Sequence, residues 1–138
     1  MIRRGDKVFV DTGAWIALAI EKDSLHGRAL DTWSDLGVAR ARLYTSVAVV
    51  IETFTFLERN VRLDVALAWK DGLACEKRIT IWDNSKKELD LAWPYFRKNF
   101  KKLSLADALN FVLMKQHGVT AAFAFDHHFA NAGFRMLG

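Results

Sequence analysis

Cysteine is almost absent, with Cys75 alone among 138 residues. One thiol closes no internal disulfide, and without a CxxC or a Cys/His cluster nothing holds structural zinc, so a reducing, cytoplasmic setting is expected. Proline is equally scarce, Pro94 being the only one, and there are no internal repeats and no low-complexity linker. Long apolar runs are missing too: no segment approaches the roughly 18 residues of a membrane-spanning helix. Arg3, Arg4 and Lys7 ahead of an apolar run ending Ala17-Leu18-Ala19 superficially imitate a secretion signal. Asp11 interrupts that run, the signal reading is rejected, and a soluble chain without membrane attachment is expected.

What is present is enough apolar side chain for a sizeable core: 51% hydrophobic against 26% charged residues, at a length that matches one domain over residues 1–138. The net charge of +4 permits a polyanionic partner without demanding one. Its distribution is more telling, because Arg97, Lys98, Lys101 and Lys102 fall within six residues and interleave with Phe96 and Phe100. They are candidate contacts to nucleic-acid phosphates, although such a run is also what a solvated helix end looks like.

Val8-Phe9-Val10 is apolar without alternation, as in a parallel strand buried on both faces, and Asp11 stands at its carboxyl end. Catalytic and ligand sites of open α/β sheets gather at such ends. A short helix from about Gly13 and an amphipathic one over residues 24–40 are expected next. His26, in its first turn, has no catalytic partner in view. Leu43-Tyr44-Thr45 reads as a strand, followed by a helix over residues 47–59 capped by Ser46 and apolar nearly all round, which predicts burial. Glu52 is the only charge of that helix before Glu58. An unpaired buried carboxylate is costly, so a cation must meet it, either an arginine or a metal ion.

Further helices are expected over residues 63–77 and from Ser85, whose hydroxyl and Glu88 have capping-box spacing; Pro94 should bend or divide the latter. Ile79-Thr80-Ile81-Trp82 is a strand between them. The segment from Leu103 to His117, ended by Gly118, carries Ser104, Asp107, Asn110 and His117 as a polar stripe on an otherwise apolar helix. Ser104 and Asp107 also have capping-box spacing, so a capping role competes with a catalytic one. Ala121 to Phe125 is a second all-apolar strand that ends in a carboxylate, Asp126, with His127 and His128 on the following turn and an edge strand from Phe134. Hard-metal carboxylate sites do not need imidazole, so neither histidine is placed among the ligands.

Strands alternating with helices predict a mainly parallel sheet with helices on both faces. If Asp11, Glu52, Asp107 and Asp126 converge, their repulsion demands a divalent cation, and all-oxygen ligands select Mg²⁺ or Mn²⁺. Such ions support phosphodiester cleavage.

FVDTGAWIAL, TSVAVVIETFTFL, LSLADALNFVL and AFAFDHHFANAGF, in this order and spacing, resemble the PIN-domain nucleases, especially the VapC-type toxins of toxin–antitoxin pairs. The resemblance covers essentially the whole chain. It implies a three-layer α/β/α sandwich, a metal-dependent endoribonuclease and metal-binding roles for Asp11, Glu52, Asp107 and Asp126. It also implies supporting roles for Thr12, Ser46 and Asn110, an RNA substrate, a small antitoxin partner and a homodimer. Many relatives carry a hydroxyl residue where this chain has Ala106, which removes one hydrogen bond but no ligand. A housekeeping RNA-processing PIN nuclease and a non-catalytic α/β nucleic-acid-binding module are the alternatives.

Overall fold

The computed structural model describes residues 1–99 and 102–138. Five strands, β1 (Lys7–Val10), β2 (Arg42–Ser46), β3 (Ile79–Trp82), β4 (Ala121–Phe123) and β5 (Arg135–Leu137), form one sheet in the order β3-β2-β1-β4-β5. Every pairing is parallel, with Val8 opposite Leu43 on one side and Ala121 on the other. Val8, Phe9 and Val10 are fully buried, as their unbroken apolar pattern requires of a central strand.

Seven helices flank the sheet among the described residues: α1 (Thr12–Ala19), α2 (His26–Val38), α3 (Val47–Asn60), α4 (Leu63–Cys75), α5 (Lys86–Asn99), α6 (Leu105–Gln116) and α7 (His128–Asn131). Right-handed crossovers put α1 to α4 on one face and α5 to α7 on the other. The packing of α1 on α2 and α3, of α3 on α4, and of α5 on α6 agrees with that division. The result is the α/β/α sandwich expected of the sequence. Strand order reverses between β1 and β4, so a crevice opens outside their carboxyl ends, where Asp11 and Asp126 lie.

Two expectations are corrected. α3 is not largely buried: Val49, Thr53 and Leu57 face the core, whereas Ile51 is 62% and Phe56 39% exposed. Apolar side chains all round a helix do not by themselves supply cover for every side. Pro94 does not divide α5, which runs on as one element from Lys86 to Asn99. The proline forfeits its bond to the Asp90 carbonyl there, a position one turn back in the same helix. At the end of α6 the expected stop is present, with Gly118 at φ +66 and bonds from Gly118 N to Lys115 O (3.3 Å) and Val119 N to Met114 O (2.9 Å).

Candidate metal centre

Asp11 follows β1 directly and is only 7% exposed. Its backbone N–H donates to Phe123 O (3.0 Å), which pins the end of β1 to β4. Behind it, Thr45 Oγ1 donates to Val10 O (3.0 Å) and accepts from Trp15 Nε1 (3.4 Å), locking α1 against β2. Asp11 holds the N-cap position of α1, yet its side chain makes no capping hydrogen bond. The carboxylate faces the crevice, with the N–H groups of Thr12 and Gly13 beside it.

That crevice, about 610 Å³, is lined by Asp11, Glu52, Asp107 and Asp126 together, with Thr12, Lys102 and His128 around them. Four acids from four separate segments therefore meet. Burial, then the charge of Asp107 and that of Glu52, push the Asp11 carboxyl up to about 7, against the opposing N–H dipoles of Thr12 and Gly13. Glu52, on the exposed side of α3, is also raised, by partial desolvation and by Asp107. Among the described residues no lysine or arginine lies within ion-pair reach of any of the four, so the arginine expected as one alternative beside Glu52 is not found there.

Asp107 does two things at once. It completes the capping box of α6, with Asp107 N donating to Ser104 Oγ (3.1 Å) and Ser104 N donating to Asp107 Oδ2 (3.2 Å), and it also faces the other acids. Asp126 accepts from His128 N (2.9 Å) through Oδ1, closing a tight turn after β4. The turn carries His128 back, so that Nδ1 lies 3.2 Å from Asp126 Oδ1 and 3.7 Å from Asp107 Oδ2. Asp107, Asp126 and His128 present donor atoms all within 4.8 Å of one another. His128 had no assigned role in the sequence; its position two residues after Asp126 was the available signal. His127 is exposed and does not line the crevice.

The supporting residues separate. Thr12 lines the crevice, and its buried Oγ1 has no hydrogen-bond partner. Ser46 and Asn110 lie outside it: Ser46 Oγ donates to Asn110 Oδ1 (2.7 Å) and accepts from Val49 N (3.1 Å), tying the start of α3 to α6. That bond fixes the two helices that carry Glu52 and Asp107. The polar stripe of α6 thus disperses, and His117 at its end stacks on Trp82 at 4.3 Å. Of the basic run, Lys102 lines the crevice, Arg97 and Lys98 are exposed at the end of α5, and Lys101, like Phe100, lies outside the described residues. His26 Nδ1 sits 2.7 Å from Ala17 O, a structural contact.

Crowded carboxyls held above their ordinary protonation range, a buried hydroxyl without a partner and hard oxygen donors together fit a divalent cation. The PIN domain model matches residues 8–135. The 23S rRNA-specific endonuclease VapC20 of Mycobacterium tuberculosis is 33% identical over 131 residues, 92% of this chain and 95% of that protein. The crystal structure of M. tuberculosis VapC20, described as a Sarcin-Ricin loop cleaving toxin, has a TM-score of 0.82 at 29% identity over 92% of this chain and 95% of that one. DNA-bound VapBC from Salmonella typhimurium shares the fold, with a TM-score of 0.67 at 13% identity over 99% and 97%. With acids gathered at the strand-order reversal, and a match that runs from β1 into β5, the chain belongs to the PIN-domain family.

Proposed function

We propose that this chain is a Mg²⁺- or Mn²⁺-dependent endoribonuclease, the toxin of a toxin–antitoxin pair, acting as one cytoplasmic domain over residues 1–138 and as a homodimer. The observation that carries the reading is the convergence of Asp11, Glu52, Asp107 and Asp126 in one crevice, where none of them has a lysine or arginine within ion-pair distance among the described residues. The naming of VapC20 as a 23S rRNA endonuclease supports RNA as the substrate class, and the VapBC complexes among the structural neighbours support an antitoxin.

Asp11, Glu52, Asp107 and Asp126 would hold the metal. When bound, the ion supplies charge neutralisation for the phosphodiester oxygens and lowers the pKa of water. Water attacks phosphorus, the bond to the leaving oxygen breaks, and the chain's own groups orient the parts. Asp11 must be ionised to serve as a ligand, so proton and metal compete for it. The Thr12 hydroxyl is free to donate within the crevice, Ser46 and Asn110 tie α3 to α6, and Lys102, which lines the crevice, would hold a phosphate, with Arg97 and Lys98 at the end of α5 as further phosphate contacts. His128 orients Asp126. Ile51 and Phe56, exposed on either side of Glu52, offer an apolar border to an antitoxin segment whose basic side chain reaches the acids.

Cleavage of single-stranded or looped RNA is expected to vanish in excess chelator and return with Mg²⁺ or Mn²⁺, read by gel electrophoresis of defined RNAs. Full activity in chelator would sink the mechanism; inactivity with metal on varied RNAs would favour a binding module. Expression of the chain alone is expected to arrest growth, and Asp11→Asn to relieve the arrest at equal protein level. Harmless expression of active protein would point to an RNA-processing enzyme instead.

A further inference from the structure

At the amino-terminal ends of β2 and β3, the opposite end of the sheet from the acids, Arg40, Arg42, Lys77 and Arg78 line one concavity of about 490 Å³ together with Tyr44 and Thr80. Arg42 and Tyr44 share one face of β2, and Thr80, paired with Tyr44, shares that face of β3, an edge strand. Arg78 is bonded to Glu76 (Nε to Oε1, 3.0 Å), and Arg42 Nη2 donates to Gly5 O (3.2 Å). Among the described residues Arg40 and Lys77 have no acid within ion-pair reach, and no carboxylate lines the concavity.

Arg40 occupies an unusual position. With φ +50 it stands just past the end of α2, where Arg40 N bonds Gly37 O (3.0 Å) and Ala41 N bonds Leu36 O (3.0 Å). Glycine is the residue without steric cost in that left-handed position, yet the chain carries a guanidinium there. With Arg78 held by Glu76 and Arg42 partly engaged by Gly5 O, the free cations among the described residues here are Arg40 and Lys77, and the planar fork of Arg40 matches phosphate oxygens in pairs.

We propose that this concavity is a second RNA-binding surface, taking backbone phosphates of the RNA whose scissile bond lies in the acidic crevice; this rests on the endoribonuclease reading. β2 alone is roughly 13 Å long, at about 3.3 Å per residue, and the crevice lies beyond the opposite ends of β1 and β4, so the two sites are farther apart than that. A structured RNA presents phosphates at both ends of such a span, which one nucleotide or one small anion cannot do. The distal contact would favour folded RNA over short single strands.

Arg40→Gly combined with Lys77→Ala tests it, because the first change relieves the positive φ and the second removes an exposed side chain with no ionic partner, so the variant should fold and melt at least as high as the original. Binding is measured in chelator, where nothing is cut, with a long hairpin RNA and with a short oligonucleotide that fills only the crevice. The variant is expected to bind the hairpin several-fold more weakly, with a log–log salt slope shallower by about 1 to 2, and the oligonucleotide equally well. With Mg²⁺, KM for the hairpin rises while kcat and oligonucleotide cleavage stay unchanged. An unaltered salt slope, an equal loss on both RNAs, or loss only of binding to an acidic protein partner would overturn the proposal. A wild type that cuts no RNA, yet shows the slope difference in chelator, would remove the nuclease reading and leave the surface standing.

Discussion

In excess chelator at neutral pH, Asp11→Asn is expected to melt higher than the unsubstituted chain, although it should lose nearly all cleavage. The folded Asp11 carboxyl is raised from 3.8 to about 7, so between those values the fold retains a proton that the unfolded chain has lost. Stability therefore falls as pH rises through this window and levels off above it. The whole interval corresponds to at most about 4 kcal/mol, or about 14 °C in a domain of this size. Asparagine keeps an oxygen towards the Thr12 and Gly13 N–H groups while deleting the charge that burial and Asp107 oppose. The advantage should be large at pH 8 and less than half as large at pH 5, by calorimetry at both. Adding Mg²⁺ or Mn²⁺ should reverse the order, because wild type gains by binding linkage what the variant cannot. Cleavage should drop by at least about 100-fold, beyond what loss of an outer partner of a metal ligand costs. An Asn variant that is less stable at both pH values would mean that the ionised carboxylate has a partner in the fold.

How much of this was legible beforehand depends on the kind of signal. Val8-Phe9-Val10 has no polar alternation, and burial on both faces tolerates that, so its central place followed from pattern alone; Ala121 to Phe125 likewise read as a strand, which forms over Ala121–Phe123. The acids at or just beyond their carboxyl ends then followed from topology. Glu52 stood out by its isolation on an apolar helix and does line the crevice, but the burial inferred for that helix is not found: α3 leaves Ile51 and Phe56 exposed. Periodicity reports which side chains are apolar but not whether anything covers them.

Other features depend on contacts that no local pattern encodes. Ser46 and Asn110 are 64 positions apart, and their hydrogen bond shows that they work on helix placement and not within the crevice. His128 enters the acidic cluster only because the turn closed by Asp126 swings it back. Pro94 was given too much weight, since one missing bond is tolerated within a helix that packs against α6. The basic concavity under β2 and β3 gathers Arg40 with Lys77 from separate connections, which no run in the sequence announces.

Capping and ligation at Asp107 coincide in one side chain, and a pair of variants should separate them. Ser104→Ala removes the acceptor for Asp107 N while leaving the carboxylate charged; it is expected to cost about 1 kcal/mol, as loss of an N-cap side chain does, and to leave the rise in melting temperature with Mg²⁺ intact. Asp107→Asn keeps an oxygen for Ser104 N but deletes the charge that raises both Asp11 and Glu52. Its stability in chelator should be equal to or above that of wild type, the carboxyl of Asp11 should titrate lower than in wild type although burial still raises it, and both the metal-induced stabilisation and cleavage should fall by at least about 100-fold in affinity or rate. Melting curves with and without metal, and the Asp11 titration followed by NMR, read the two effects independently. If Asp107→Asn weakened the fold as Ser104→Ala does, left the Asp11 titration where it was and kept the full response to Mg²⁺ and Mn²⁺, Asp107 would be a helix cap and nothing more.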